Sequence, residues 1–477
     1  MSDIAQPEKS SYIDREVVQR LLKIADFGVI LVGSTALLFR AMTSNSPELV
    51  IAAGFIALCI TLSTMLALRS LGLYNVPSLV NPLYGLLASS GVSFVTGSLA
   101  FLILSALALP LSNLWLFGWL ALVLTHFTMT RMAVAAWAGP LAKNGAFRQR
   151  IAIVGGGKAA EDAINILENS DNIDVEIVGL FDDRNDERSP ESVKKYTKLG
   201  KIEDLSGFAR QNRVDLIIVA VPMSAEARLL QILKRLWELP TDIRIAAHTS
   251  KLKLSPRAYT NLGNLPLMSV FDRPVSGWSW FVKDVMDRVL ASIFIVLLSP
   301  VMAATWLAVR YESSGPALFK QKRFGFNNEL VEVFKFRSMY TDMGDADASK
   351  LVTKGDPRVT RVGRFIRKTS IDELPQLFNV LTGQLSLVGP RPHATQAKAG
   401  NDLYDQVVDG YFARHKVKPG ITGWAQINGW RGETDTHEKI ENRVKHDLDY
   451  IDRWSILFDL YIIAKTPFAL LKSDNAY

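Results

Sequence analysis

The run Arg288-Val289-Leu290-Ala291-Ser292-Ile293-Phe294-Ile295-Val296-Leu297-Leu298-Ser299-Pro300-Val301-Met302-Ala303-Ala304-Thr305-Trp306-Leu307-Ala308-Val309-Arg310 decides how this chain is built. Its apolar stretch has the length, roughly 20 residues, that crosses a bilayer as a helix. Ser299 and Pro300 interrupt it at the centre, where proline removes a helix hydrogen bond and favours a bend. Both flanks are basic, with Lys283 and Arg288 before the run and Arg310, Lys320, Lys322 and Arg323 after it. Basic flanks stay on the cytoplasmic face, so both ends belong on one side. The segment is therefore expected to be a re-entrant helical hairpin, over about residues 284–311, that breaks at Ser299 and Pro300 and dips into one leaflet. The alternative is a full span with a mild proline kink, which would export the arginine-rich region that follows.

Upstream, four further apolar segments run over about Leu22 to Leu38, Leu49 to Leu68, Gly85 to Leu109 and Leu114 to Met132. The links Thr43 to Pro47 and Pro110 to Asn113 hold no Lys or Arg, whereas Arg15, Arg20 and Lys23 precede the first segment and Lys143, Arg148 and Arg150 follow the fourth. This asymmetry predicts a transmembrane bundle of four spans (residues 1–140) with both ends in the cytoplasm. A soluble bundle would need polar stripes that these segments lack. The opening stretch from Met1 to Arg20 is polar and charged, unlike a cleavable signal peptide.

From Gln149 the pattern changes to strands and helices in alternation. Ile151-Ala152-Ile153-Val154 reads as a buried strand, and Val175 to Phe181 and Asp215 to Val221 as later ones. This predicts a parallel α/β unit of Rossmann type over 148–265. Gly155, Gly157 and Ala160 fit a G-x-G-x-x-A turn, whose glycines let backbone amides approach a pyrophosphate. The nearest acidic residues, Asp182 and Asp183, lie beyond the usual spacing. Two readings stand: a nucleotide turn, or a tight strand–helix turn in a regulatory or assembly domain that binds nothing.

Composition narrows the classes. At 477 residues, more than one domain is expected. The net charge of +7 comes with no zinc-finger spacing or recognition motif, so nucleic acid is not an expected partner. Basic residues beside apolar runs fit an anionic lipid surface better. Cys59 is the single cysteine, which excludes an internal disulfide, and the six histidines form no metal-binding spacing.

Beyond the re-entrant segment four clusters carry chemistry. In Phe334-Lys335-Phe336-Arg337-Ser338-Met339, strand alternation puts Lys335 and Arg337 on one face, a pairing suited to a diphosphate. Next come Arg358, Arg361, Arg364 and Arg367, spaced by three, and then Thr369-Ser370-Ile371-Asp372-Glu373-Leu374-Pro375. Ser370 and Glu373 fit a capping box, while Pro375 moves the expected cap toward Asp372. Either way the carboxylates of Asp372 and Glu373 sit at a positive helix end beside arginines. That setting is expected to keep them ionised, as a nucleophile or magnesium ligand must be. In Gly389-Pro390-Arg391-Pro392, prolines hold one arginine in extended backbone for a phosphate. The last cluster, Lys418 to Gly429 with Trp430-Arg431-Gly432-Glu433, reads as a shaped loop near a ligand or the membrane interface.

In this order, and behind this apolar segment, the clusters closely resemble the bacterial sugar transferase family, the polyprenyl-phosphate hexose-1-phosphate (monotopic phosphoglycosyl) transferases. The resemblance runs from about Val282 to Tyr477, with Ile371 where leucine is more usual. The upstream bundle and α/β unit resemble the longer members. Arg391-Pro392-His393-Ala394, the Gly429 to Glu433 run and the C-terminus look most like undecaprenyl-phosphate glucose phosphotransferases of exopolysaccharide synthesis. The resemblance implies a catalytic domain over 280–477 on the cytoplasmic side of a bacterial inner membrane. It implies that Asp372 attacks the sugar-attached phosphate of a UDP-sugar, expelling UMP, and that undecaprenyl phosphate takes the phosphosugar. It further implies a Mg²⁺ cofactor held by Asp372 and Glu373, and phosphate contacts or ordering roles for Lys335, Arg367, Arg391 and, less directly, Arg337. A homodimer through the α/β unit fits the same picture.

Glucose and galactose are not separated by any motif. A membrane-bound nucleotide-sugar dehydratase or epimerase would carry Tyr-x-x-x-Lys after the glycine turn, but Tyr196 is followed by Gly200 at that spacing. A non-catalytic assembly protein remains a third reading, in which Asp372 is dispensable. The tail from Leu448 to Leu471 alternates charges with Trp454, Phe458, Tyr461 and Ile462, which suits either the membrane surface or the domain's own core.

Overall fold

A computed structural model describes residues 14–41, 47–75, 78–79, 81–106, 113–143, 145–170, 174–184, 190–222, 225–246, 259–341, 356–393, 398–399, 402–403, 408, 411–432 and 436–472. The links at 43–46 and 110–112, Ala394, Glu433 and the final five residues lie outside them. The chain divides into two compact units, Met1–Arg148 and Gln149–Tyr477.

The first unit holds α1 (Arg15–Ala41), α2 (Pro47–Ser70), α3 (Pro82–Ala106) and α4 (Asn113–Lys143). Each packs on two neighbours in a closed ring, α1 on α2, α2 on α3, α3 on α4 and α4 on α1. All four are long and apolar enough to cross a membrane. Their outer faces expose Val32, Phe55, Leu66, Phe117 and Met129, which only lipid can cover without cost. The inside was not foreseen. Asp26 of α1 is fully buried and accepts from Tyr74 Oη at 3.0 Å and Arg131 Nη2 at 2.9 Å, with His126 Nε2 at 2.8 Å. The few charges inside the bundle thus meet one another, as intramembrane charges must, although Arg131 Nε and Nη1 keep no hydrogen-bond partner among the described residues.

The second unit opens with an eight-stranded sheet in the order β3-β4-β2-β1-β5-β6-β8-β7. Its strands are β1 (Gln149–Val154), β2 (Val175–Phe181), β3 (Ser192–Val193), β4 (Tyr196–Gly200), β5 (Leu216–Val219), β6 (Asp242–Ala246), β7 (Tyr259–Leu262) and β8 (Leu265–Phe271). The five central strands are parallel, whereas β3, β7 and β8 add antiparallel edges. Residues 151–154 are buried on both faces: Ile151 and Ile153 enter one apolar layer, Ala152 and Val154 the other. A continuous apolar run is the signature of such a doubly covered strand. The helices α5 (Gly157–Glu168), α6 (Ile202–Gln211) and α7 (Glu226–Leu236) supply the cover.

Next comes α8, one helix of 36 residues from Gly277 to Glu312 with Pro300 inside it. Both of its ends are fastened to the domain that follows. Near the start, Lys283 pairs with Asp459 at 2.6 Å and Asp287 accepts from Ser386 Oγ at 2.6 Å. At the far end, Val309 is buried with Ala317, Phe336 and Ile366. Between these ends one face packs through Phe294, Leu298 and Met302 while Val296, Leu297 and Leu307 stay exposed.

The elements that follow include the hairpin β9 (Leu318–Phe324) and β10 (Leu330–Phe336), α9 (Arg361–Thr369), α10 (Gln376–Leu381), β11 (Ser386–Val388), β12 (Gly420–Thr422), α11 (Trp424–Ile427), α12 (His437–Asp452) and α13 (Ile456–Lys472). The tail helix α13 packs on the domain's own core and keeps an exposed apolar face. Ile462 and Asp459 are buried against the core, while Leu457 and Phe468 project outward, 78% and 67% exposed.

Candidate active site

Helix α9 is held at both ends in a way that aims the acidic pair. Thr360 caps its start, accepting from Gly363 N at 2.8 Å, and the Glu312 carboxylate accepts from the amides of Arg361 and Val362 at 2.7 and 3.0 Å. A negative group at a positive helix end is favourable. At the other end Ser370 takes a left-handed conformation, φ 60°, and closes the helix. Residues Ile371–Glu373 then form a single 3₁₀ turn. Neither expected cap forms: the Ser370 side chain caps nothing, and the next helix, α10, starts after Pro375. Glu373 is thereby released from a capping role.

Its carboxylate is instead clamped by two cations. Lys335 Nζ lies 2.8 Å from Oε1, and Arg391 makes a fork, Nη2 to Oε1 at 2.5 Å and Nη1 to Oε2 at 3.0 Å. Opposed by burial, these two cations hold the Glu373 carboxyl well below the usual range. Burial in turn pulls the Lys335 ammonium down, and Glu373 holds the Arg391 guanidinium up.

Asp372 differs. It is buried, and its carboxylate accepts no hydrogen bond among the described residues. Burial, then the Glu373 charge, push it up to about 6, while Lys335, Arg367 and Arg391 oppose the rise. The two carboxylates are thus held unequally, a difference that the sequence reading did not draw. A buried carboxylate without donors is the more basic and more nucleophilic of the two.

Lys335 is presented by β10, which is tied to α10 through the fully buried Asn379. That side chain accepts from Phe334 N at 3.0 Å and donates to Glu332 O at 2.7 Å. Arg391 is held from behind, where Arg414 Nη2 donates to its carbonyl at 2.5 Å and pairs with buried Asp447 at 2.8 Å. His393 sits between Arg414 and Arg443, and burial with these two charges keeps it neutral, far below its ordinary range. Arg414, Asp447 and Asn379 went unassigned in the sequence because nothing local distinguishes them from solvated polar residues. Only their burial does.

The sequence-predicted residues thus separate. Asp372, Glu373, Lys335 and Arg391 converge, and Arg367 acts on Asp372 with Nη1 buried and unpartnered among the described residues. Arg337 does not join them. It is 7% exposed, and its guanidinium donates to Ser313 O and Ser314 O, both at 2.7 Å, to Ser313 Oγ at 3.0 Å and to Val309 O at 3.3 Å. It closes the C-terminal end of α8, where carbonyls lack helical partners. Ser299 and Pro300 lie inside α8, which runs through them as one helix, so the expected break into a hairpin is corrected: the proline costs the helix a hydrogen bond without ending it. Gly155 and Gly157 take positive φ of 112° and 68°, and Ala160 is buried in the sheet's core. A side chain at Gly155 would meet Ala220 O at 2.7 Å, so packing alone requires that glycine.

A magnesium ion is commonly held by one or two carboxylates together with substrate phosphates. Asp372 and Glu373 fit that mode. Asp372 is unpartnered, and Glu373 Oε2 accepts only one hydrogen bond among the described residues, which leaves it capacity. No group of three or more Asp, Glu, His or Cys residues placed to hold a metal ion occurs among the described residues.

Beneath the 3₁₀ turn lies a largely apolar cavity of about 270 Å³, walled by Phe294 and Leu298 of α8, Leu377 of α10 and Ile463 of α13. Glu373 and Arg431 stand at its polar end. A separate basic face on α9 combines Arg361, Arg364 and Lys368 with Phe365, which is 61% exposed.

Comparison with known proteins adds two family matches: the bacterial sugar transferase model over residues 278–473 and the CoA-binding domain model over 69–247. The chain is 37% identical over 365 residues to the UDP-glucose:undecaprenyl-phosphate glucose-1-phosphate transferase of Escherichia coli (strain K12), covering 76% of each chain. The protein of that name from Klebsiella pneumoniae is 38% identical over 359 residues, 75% of this chain and 76% of its own. The undecaprenyl-phosphate glucose phosphotransferase of Komagataeibacter xylinus is 40% identical over 330 residues, 69% of this chain and 60% of its own.

Proposed function

The chain belongs to the bacterial sugar transferase family, and from that membership we propose that it transfers glucose 1-phosphate from UDP-glucose to undecaprenyl phosphate with release of UMP. The observation that carries the mechanism is the contrast within the acidic pair, an unpartnered, buried Asp372 beside a Glu373 clamped by Lys335 and Arg391.

Asp372 attacks the sugar-bearing phosphorus of the donor. A carboxylate–phosphorus bond forms, the phosphoanhydride bond breaks, and UMP leaves with the bridging oxygen. An oxygen of the acceptor's phosphate then attacks the same phosphorus, and the carboxylate departs. Splitting one transfer into two displacements at one group is the gain of covalent catalysis. Arg367 and Arg391 place positive charge where the transferring phosphoryl group develops negative charge. When bound by Asp372, Glu373 and the donor phosphates, Mg²⁺ would supply further charge neutralisation.

The helix α8 supports one membrane arrangement over the other. A helix of 36 residues would run about 54 Å if straight, long enough to cross the hydrocarbon and place its ends on opposite sides. Both ends are nonetheless bound to the same domain, through Lys283 and Asp287 at one end and Val309 and Glu312 at the other. That favours a re-entrant helix resting one face on the domain and the other in lipid, with the domain on the cytoplasmic side. The basic α9 face with Phe365 suits anionic headgroups. For the sheet domain we favour a regulatory or assembly role. Its candidate ribose-binding acids are taken, Asp182 by Arg184 and Asp183 by Arg228 and Arg235.

The test uses the protein in membranes with UDP-glucose, undecaprenyl phosphate and Mg²⁺, and identifies the released nucleotide. UMP from wild type and none from Asp372→Asn is the expected result. UDP would mean ordinary glycosyl transfer and sink the mechanism, and faster UMP release from UDP-galactose would reassign the sugar.

A further inference from the structure

Arg431 belongs to a segment that the mechanism above leaves without a role. Its guanidinium donates through Nη2 to Ser370 Oγ, while Nη1 is buried and has no hydrogen-bond partner among the described residues. Buried polar groups are nearly always paired, and a guanidinium with an open donor is a ready partner for an anion. Burial and Arg391 push this group down, and Glu373 and Asp372 pull it back up. It therefore lies within electrostatic reach of both carboxylates. Gln426 Oε1 is a second buried atom without a partner among the described residues, on the same cavity wall.

The rest of that cavity is mostly apolar, with Ser370, Thr422, Gln426 and Thr466 as its neutral polar side chains. Leu377, Leu387, Ile421 and Ile463 line it, and it offers no further charged side chain than Glu373 and Arg431. A uridine or a hexose presents more hydroxyls and ring heteroatoms than these few polar side chains can pair. A molecule with one anionic end and a branched hydrocarbon body has the complementary distribution. Two of the walls come from α8 and α13, whose outer faces expose Val296, Leu297 and Phe468. An occupant could thus pass between lipid and the nucleophile without crossing polar surface.

We propose, resting on the function above, that this cavity binds the phosphate-proximal isoprene units of the polyprenyl phosphate acceptor and that Arg431 receives its phosphate. The donor diphosphate is then left to Lys335, Arg367 and Arg391, so that the two substrates approach Asp372 from different sides of the 3₁₀ turn.

Ala469 of α13 lines the cavity with a small side chain, and Ala469→Phe fills it. Single-turnover UMP release without acceptor reports the donor step, and transfer to undecaprenyl phosphate reports the acceptor step. The expected result is a fall of about tenfold in the acceptor step relative to the donor step, as overpacking a defined site costs. An unchanged ratio would overturn the proposal, whereas a wild type that releases no UMP would instead overturn the function on which it rests. Because the variant could misfold, a second measurement uses wild type in nanodiscs with a farnesyl monophosphate carrying a diazirine on its first isoprene unit. Crosslinks at Leu298 or Ala469, competed by undecaprenyl phosphate and not by phosphatidylglycerol, support the assignment. Crosslinks confined to other elements, or equal competition by phosphatidylglycerol, refute it.

Discussion

Replacing Arg337 by Met tests the division between structural and substrate-binding arginines. The change removes the hydrogen bonds to Val309 O, Ser313 O, Ser314 O, Ser313 Oγ and Thr341 Oγ1 while keeping most of the aliphatic stem. The two at 2.7 Å carry most of the energy. Hydrogen bonds to a charged group contribute roughly 1.5–3 kcal/mol each and are not additive, so a loss of about 3–5 kcal/mol is expected. For a domain of this size that corresponds to an apparent Tm lower by about 10 °C. Gly315→Ala should act in the same direction, because a Cβ there would collide with Arg337 Nη1 and lie 2.6 Å from Thr341 Oγ1. The assay is thermal unfolding in nanodiscs beside donor saturation kinetics on the folded fraction. The expected pattern is a lower Tm with the KM for UDP-glucose unchanged. A wild-type Tm with a KM raised tenfold would refute the reasoning and return Arg337 to the substrate site.

Four further outcomes are expected. Arg391→Ala should cut UMP release at least a hundredfold while protein yield stays normal, because a preorganised charge at the phosphoryl group is worth about that much; wild-type rates would remove it from the site. The single-turnover donor step should slow as pH falls through about 6, because Asp372 is pushed up to about 6 and reacts only when ionised; a flat profile between pH 5 and 8 would contradict this. Asp26→Asn should lower bundle stability by about 3–5 kcal/mol, read as faster proteolysis, because Arg131 loses its carboxylate partner inside the membrane; normal protease resistance would show the pair is dispensable. Ser314→Cys in a Cys59→Ser background should react with an impermeant maleimide only after the inner membrane is opened. Labelling of intact spheroplasts from the outer side would overturn the re-entrant arrangement.

Much of this architecture was legible before any coordinates, because bilayer thickness and strand burial impose patterns that need no tertiary information. The four apolar segments, the buried run Ile151 to Val154 and the Asp372-Glu373 pair beside its arginines are local facts of order and spacing. Other features arose only from folding, because they depend on which distant groups meet in a low-dielectric interior. Alternation placed Lys335 and Arg337 on one strand face, yet only Lys335 reaches Glu373, since β10 ends at Phe336 and the chain after it meets the open carbonyls of α8. A serine and a glutamate at capping-box spacing left two readings, which the left-handed turn at Ser370 replaced with a third. The inward charges of the bundle, the unpaired Nη1 of Arg431 and the inequality of Asp372 and Glu373 have no trace in spacing. Desolvation sets each of them, and desolvation is a property of the packed molecule.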